Sequence, residues 1–594
     1  MTIRESFAIE QVEISKGANS SFAGRGTAGG AINAITKQAM LDYDFTRLGV
    51  SLGTSSHTRL TADINKAFSD TFALRANVLS GDEGVPARSP ATRERQGLAM
   101  SGLWKLSPQL SVTLDYYGMR GGDTYPDLGT FLRGTPPNRF PVAGTPVFAQ
   151  AQDFLNSNVD TVTARIKYKF SPDMSLTSLT RYGTSNNGYV ITGANNANAN
   201  LGTAASAFVT GSLSTHTGWQ EVEYFAHQTN LRLDKVIAGM KNEFIFGVQY
   251  TDQKVLKGTY GVTNTGAFNC RVPGNGQPAA GAVNAYCLTL ASGAPVANLN
   301  NLLNRSITRA GWNNDWQVKT IALSAMDTVD ITDRLTAFGG IRLDRFDYSL
   351  SVGTNGVQTA AYGYKDTLTN DHFGLSFKIN PAVMVYGSVA SSADINGGES
   401  DVGLNSGYGG AIIVNGSIAT PVPEKSRNLE LGTKWNILDD KLLLTAAVFC
   451  NTKSGVIEGN GYTSTGTANS GKNRVQGVEL GLTGNIAERL SAQAGIAFLK
   501  SRVLQSATPA NVGLPLSNFA DKSYSAQVKY QFTPELYLGV AARHESERCA
   551  PGSLKQPQGI QQTASVPRRF PALRCMTRSM LTASTRTWSC APTC

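Results

Sequence analysis

The sequence predicts an all-β protein, a large antiparallel β-barrel that crosses a membrane, on three observations. Strand-like segments alternate apolar and polar residues with period two. Tight turns and long polar loops take turns along the chain. No run of 18 apolar residues could form a spanning helix, so a chain of this kind enters lipid only as closed strands. Composition agrees: the 594 residues include 61 glycines and only 16% charged residues, a profile of strands and turns rather than of a soluble α/β enzyme.

The first element is the stretch from Gly17 to Gln38, "GANSSFAGRGTAGGAINAITKQ". Gly24, Gly26 and Gly29 spell G-x-G-x-x-G, and the short strand-like run Val12 to Ser15 precedes them. A dinucleotide site would need these glycines to open a helix and lead into βαβ units. The chain instead continues as "AINAITK", with no helical periodicity behind it. The glycines are therefore read as a backbone that turns tightly several times.

The next elements are strands. In "VTARIKYKF", Val162, Ala164, Ile166, Tyr168 and Phe170 share one face and Thr163, Arg165, Lys167 and Lys169 the other. "EFIFGVQY" puts Phe244, Phe246, Val248 and Tyr250 on one side, and "YSAQVKYQF" repeats the pattern from Tyr524 to Phe532. A soluble sandwich shares this alternation, so connection lengths must decide. Tight turns recur at 68–71, 107–110, 171–174, 331–334, 379–382, 438–441 and 532–535, separated by long loops at 120–160, 183–223, 252–317 and 390–425. All the short connections then fall at one end of the strands, the asymmetry of an outer-membrane barrel. The alternation gives about nineteen strands, a size at which the lumen is plugged.

The opening "AIEQVEISKGANSSFAGRGTAGGAINAITK" (8–37) resembles the C-terminal end of the plug domain of TonB-dependent outer-membrane receptors. "FGGIRLDRFDY" (338–348), "PEKSRNLELGTKW" (423–435) and "NRVQGVELGL" (473–482) are similar to the siderophore-receptor branch of that family. The resemblance runs from about residue 8 to 548 and implies a barrel of about 22 strands around a plug. It also implies that Gly24, Arg25 and Gly26 form a plug apex facing an extracellular ligand pocket. Two roles stay open for Arg25: contact with the oxygen-rich ferric chelate, or pairing with a lumenal carboxylate such as Glu430. Phe22 and Ala23 stand where relatives often carry Leu-Tyr, which puts one phenol contact in doubt.

The same resemblance implies a ferric siderophore as ligand, weakly favouring catecholates, with the iron carried in the chelate and no cofactor or protein-held metal. Implied partners are outer-membrane lipid and, in intact relatives, the TonB-ExbB-ExbD complex; no nucleic acid is implied. The alternatives are a receptor of this fold for cobalamin or a glycan, and a passive porin-like barrel. Tyr125, Phe131, Phe140, Tyr260, Tyr286, Trp312, Trp316 and Tyr408 lie in predicted outer segments. Tyr125, Trp312, Trp316 and Tyr408 are the chosen aromatic contacts, although interface girdles concentrate the same residue types.

Cys270 and Cys287 share the longest predicted loop, and a bridge between them would restrain it by roughly 3 kcal/mol in the chain-entropy model. Cys450 reads as a small apolar residue. The five histidines show no metal spacing and no nucleophile partner, so no enzyme is predicted.

The domain reading is a plug segment at 1–40, the barrel at 41–548 and an aberrant tail at 549–594. That tail holds six Lys or Arg, no Asp or Glu and four of the seven cysteines, and its strand alternation stops. A change of reading frame near Arg548 is the expectation, ahead of a basic lipid- or nucleic-acid-binding tail. It would leave the barrel short of strands and with open edges. Relatives carry a signal peptide, a TonB-contacting segment and most of the plug upstream of the position of Met1.

Overall fold

The computed structural model describes residues 3–129, 146–200, 208–264, 299–395, 423–456, 471–516, 520–534 and 536–546, with a few two-residue strand pieces between and beyond them. The chain begins with an antiparallel hairpin, β1 (Ile9–Lys16) and β2 (Gly30–Thr36), whose connection holds a single helical turn, α1 (Ser20–Ala23). Nineteen long strands come after it. They are β3 (Phe45–Gly53), β4 (His57–Ser69), β5 (Phe72–Gly84), β6 (Thr92–Lys105), β7 (Leu110–Thr124), β8 (Phe154–Ser171), β9 (Met174–Asn200), β10 (Phe208–Ile237), β11 (Met240–Asn264) and β12 (Arg305–Asp330). The rest are β13 (Leu335–Thr354), β14 (Val357–Asn380), β15 (Val383–Asp394), β16 (Glu424–Ile437), β17 (Leu442–Val456), β18 (Gly471–Ala487), β19 (Leu490–Gln505), β20 (Lys522–Gln531) and β21 (Tyr537–Glu545). Each pairs antiparallel with its neighbours in chain order, and the sheet closes into a barrel. With the two-residue pieces Tyr286–Cys287 and Arg574–Cys575, the ring counts 21 strands.

The burial pattern is that of a barrel in lipid. Val162 is 44% exposed, while its neighbour Thr163 is 4% exposed. Phe246, Val248 and Tyr250, on the predicted apolar face of β11, are exposed too, as are Val528 and Tyr530 on β20. A soluble sandwich would bury these side chains and expose the threonines. Inside the ring the buried residues include Asp63, Asn65, Arg75, Asn77, Arg342, Asp344 and Asn370. Most of them are partnered there: Asp63 with Arg75, Arg342 with Asp344, Asn65 with the Met40 and Tyr43 carbonyls, and Asn370 Oδ1 with the Ala393 N–H. Among the described residues no helix is long and apolar enough to cross a membrane.

The predicted tight turns all lie at one end, but the rule that every short connection falls there needs correction, because residues 54–56 join β3 to β4 and Asn355–Gly356 joins β13 to β14 at the other end. At the predicted end the structure adds two that the sequence reading missed. One is Ala238–Gly239, whose φ values of 52° and 82° suit the two central positions of a tight hairpin turn. The other is the Glu488–Arg489 connection between β18 and β19. Near this end Phe68 packs on Phe72 and Phe72 on Trp104, with ring centroids 5.7 and 5.0 Å apart; Tyr530 meets Phe532 at 4.8 Å. This is the aromatic girdle expected at a membrane interface.

The predicted loops need correction. Residues 183–223 are not one loop: β9 runs to Asn200 and β10 begins at Phe208. The 120–160, 252–317 and 390–425 loops likewise shrink as β7, β11, β12 and β15 extend into them. Beyond the bilayer both faces of a strand meet water, so apolar alternation ends there while the backbone ladder goes on pairing.

The hairpin lies in the lumen, held by polar contacts around its circumference. Arg75 forms a bidentate pair with Asp63 (2.8 and 2.9 Å) and also reaches Glu10 (2.9 Å) and the Gln38 carbonyl (3.1 Å). Lys37 meets Asp63 at 3.0 Å, and Arg59 meets Glu5 at 2.8 Å. On the opposite side Lys16 pairs with Glu479.

The expected open edges are not observed. The ring is completed by Arg574–Cys575, which pairs with Arg543 and His544 of β21 and stands next to β3. Apart from short strand pieces, the 549–594 tail and the frame-change expectation lie outside the described residues.

Candidate functional site

The site is built at the tip of the hairpin. Gly17 N–H donates to the Gly29 carbonyl (3.1 Å) and Asn19 N–H to the Thr27 carbonyl (3.0 Å), closing the neck of the loop. Gly24 comes directly after α1 with φ 97° and ψ 165°, a region essentially reserved for glycine. Gly26 has φ 83°, and a Cβ there would lie 3.2 Å from Asp394 Oδ1. The two glycines thus bracket Arg25 on a backbone that other residues would strain.

Barrel side chains pin this loop. Ser20 is fully buried; its Oγ donates to Ser392 Oγ at 2.6 Å and lies 3.0 Å from Thr27 Oγ1. Ser21 Oγ contacts His372 Nδ1 at 2.5 Å. Gly26 N–H donates to the Ala393 carbonyl (3.0 Å), and Asn451 Nδ2 donates to the Ala28 carbonyl (2.8 Å). Strands β14, β15 and β17 therefore set the position of the apex.

Arg25 lies over a polar cavity of about 280 Å³ shared with Gln249, Thr251, Thr320, Arg342 and Asp344. Burial pulls its guanidinium down from the ordinary value, while Asp394 and Asp344 pull it back. Asp344 is fully buried and accepts two hydrogen bonds from Arg342 Nε (3.0 Å each) and one from Nη2 (2.8 Å). The carboxylates acting on Arg25 are therefore Asp394 and Asp344. Glu430, named from the sequence, instead accepts the Tyr386 hydroxyl at 2.7 Å.

Toward the long-loop end the wall turns aromatic. Trp316, Phe346, Tyr348, Leu350, Leu368 and Ile395 form one buried cluster, with Tyr362 and Tyr364 packed against it. Tyr348 lies 6.4 Å from Trp316 and 5.4 Å from Tyr364, and Tyr364 meets Phe346 edge-on at 5.2 Å. A cation at the base and partly exposed phenols above it suit a planar, oxygen-rich anion.

The predicted aromatics divide. Trp316 joins this wall but is only 4% exposed. Trp312 packs at the β13–β14 turn, where a Cβ on Gly353 would lie 2.6 Å from its ring. Tyr125 comes just after β7 with φ 47°, away from the cluster. Tyr408 and Cys270 lie outside the described residues; Cys287 is placed only as strand backbone, so the bridge lies outside them too. Cys450 is a free thiol. The residues the sequence reading missed are Arg342, Asp344, Phe346, Tyr348, Tyr364 and Asp394. Four of them stand at alternate positions in "IRLDRFDY", so period two already placed them on one face.

A second cavity, of about 1250 Å³, separates Lys16 and Gly17 of the hairpin from the wall of β16 to β21, where Glu430, Gln493 and Arg543 line it.

Comparison with known proteins comes down on one family. A family model described as TonB-dependent receptor-like, β-barrel, matches residues 103–556. The chain is 28% identical over 567 residues to a protein of Acinetobacter baumannii named as the probable TonB-dependent siderophore receptor PiuA, covering 91% of this chain and 72% of that one. It is 27% identical over 579 residues to the catecholate siderophore receptor Fiu of Escherichia coli K12, covering 91% and 71%. The crystal structure of PiuA superposes with a TM-score of 0.79 at 25% identity over 92% of this chain and 77% of PiuA. The closed form of Fiu, described as a ferric-catecholate import receptor, gives 0.78 at 25% over 93% and 78%.

Proposed function

This chain belongs to the TonB-dependent receptor β-barrel family, whose members are outer-membrane transport receptors, and from that premise we propose that it binds a ferric siderophore of the catecholate type and imports it into the periplasm. The observation that carries the reading is Arg25, presented on a glycine-bracketed apex at the foot of the Trp316–Tyr348–Tyr364 wall. A tris-catecholate complex is anionic and edged with oxygens. The Arg25 guanidinium supplies charge-assisted hydrogen bonds to those oxygens, each contributing on the order of 1.5–3 kcal/mol. The phenol faces of Tyr362 and Tyr364 supply flat contact area at small entropic cost.

Import begins once the chelate is held. The contacts that fix the apex, Ser20–Ser392, Ser21–His372, Gly26–Ala393 and Asn451–Ala28, are few and local. Force from TonB on the plug would break them and displace the hairpin along the 1250 Å³ space beside it. The energy comes from the inner-membrane proton-motive force through TonB, ExbB and ExbD, so the barrel itself needs no catalytic group.

The test is a ligand panel. The full chain in detergent is titrated with a ferric catecholate, a ferric hydroxamate and cobalamin while tryptophan fluorescence is monitored. Saturable quenching by the ferric catecholate, with weaker or no response to the others, supports the reading. A preference for cobalamin, or no saturable response from a folded barrel, refutes it.

A further inference from the structure

The polar recess beside Arg25 holds a group that binding at the apex leaves unused. Inward-facing partners line up in rows across β11, β12 and β13. Gln249, Ala322 and Asp344 form the floor row; Thr251, Thr320 and Phe346 form the next; Val255, Trp316 and Leu350 stand two rows higher, toward the long-loop end. Successive rows lie about 7 Å apart along the strands. The polar wall thus gives way to the aromatic wall at Thr320 and Phe346. Ala322 is the smallest side chain of the floor row, and the cavity of about 280 Å³ lies over it, between Gln249 and Asp344.

Thr320 is the unexplained member. It is 4% exposed and lines the cavity, and its Oγ1 has no hydrogen-bond partner among the described residues. A buried hydroxyl left unpaired costs about 1–3 kcal/mol, so it calls for a partner from outside the chain. The groups around it define what that partner is. Arg342 can only donate, so the Gln249 oxygen faces it to accept from Nη2, and the Gln249 amide nitrogen is left as a donor. The Asp344 carboxylate is taken up by three hydrogen bonds from Arg342. The recess therefore presents donors: the Gln249 amide, the Thr251 and Thr320 hydroxyls and, at its mouth, the Arg25 guanidinium. Among the described residues lining it the cations are Arg25, which faces the chelate oxygens, and Arg342, which Asp344 holds. A donor-rich floor without a spare charge suits a neutral acceptor, a carbonyl oxygen, better than a further anion.

We propose that this recess reads the carbonyl of a carboxamide-substituted catecholate, with Thr320 as a specificity-determining residue. The inference rests on the receptor reading and narrows its ligand to catechols that carry a carboxamide beside the phenol oxygens. In such a chelate the amide N–H turns toward a metal-bound oxygen, and the carbonyl points away from the metal, free to accept. Tyr364 stands one row above Thr320. With the chelate oxygens on Arg25 and a ring along Tyr364, the carbonyl enters the recess and accepts from the Thr320 hydroxyl and the Gln249 amide.

A pair of ferric chelates of equal charge and similar shape tests this. They are the tris complexes of a catechol bearing an N-methylcarboxamide beside its phenol oxygens and of one bearing a sec-butyl group there, each kept intact by excess ligand in mildly alkaline buffer. The full chain in detergent is titrated with both while tryptophan fluorescence is followed. Wild type is expected to bind the carboxamide chelate about tenfold more tightly. Lys365→Gln, on the opposite face of β14 from Tyr364, keeps that ratio. Thr320→Val, which preserves shape and removes the hydroxyl, brings the ratio below about twofold, and Thr320→Ser restores it. A ratio that stays about tenfold in a folded, heat-modifiable Thr320→Val barrel overturns the proposal and leaves the hydroxyl to an ordered water. So does equal binding of the two chelates by wild type. If neither chelate binds a folded wild-type barrel, the receptor reading itself fails and the recess loses its ligand with it.

Discussion

Arg25 occupies its place because the residues around it leave the chain little choice. Gly24 at φ 97° and Gly26 at φ 83° permit a backbone that lifts one long side chain toward the aromatic wall. A Cβ on Gly24 would meet nothing within 4 Å, so Gly24→Ala isolates backbone strain from steric clash. It is expected to destabilise the local apex by about 1–3 kcal/mol, read as faster amide exchange at residues 20–28 with the barrel unaffected. Asp344 poses the complementary case. Asp344→Ala strands a buried Arg342 and is expected to cost about 3 kcal/mol, seen as a lower temperature of heat modification. Adding Arg342→Met to that variant restores most of the loss, because the uncompensated charge rather than the missing bond causes it.

At the scale of elements, the strands were legible because lipid imposes a strict rule. "VTARIKYKF" and "EFIFGVQY" could be assigned with faces, since each residue in the bilayer meets either hydrocarbon or a polar lumen. Above the bilayer the rule lapses, which is why the ends of β9 and β10 were read as loop. The site was half legible. The glycine cluster marked the apex, but Asp394 stands far along the chain from Arg25, and only barrel closure brings them together. Trp312 packs at a hairpin tip and Tyr125 stands at a strand end, positions that serve local packing as readily as ligand contact, so residue type alone did not separate the two roles. The apex loop itself depends on contacts from three strands. His372→Ala together with Ser20→Ala is expected to free it, so trypsin should cut after Arg25 about tenfold faster than in wild type, with the barrel strands still resistant. Unchanged cleavage would show that the loop is held by its own neck.

For the molecule as a whole, closure is unequal around the ring. Strands β9 and β10 pair over nearly their full lengths, from Met174 opposite Leu233 to Asn200 opposite Phe208. The seam between β21 and β3 is completed only by Arg574–Cys575. An edge poor in hydrogen bonds is costly in hydrocarbon and opens first. Amide exchange is therefore expected to be fastest among the spanning strands at 537–545 and 45–53; uniform protection around the ring would contradict this.

The receptor reading joins these scales at one side chain, and equilibrium binding of a ferric catecholate to the wild-type barrel and to Arg25→Ala tests it most directly. Saturable binding that weakens about tenfold in the variant, about 1.4 kcal/mol, with the barrel still folded, is the expected result. Equal affinity in the two proteins would contradict it and remove the apex from the site.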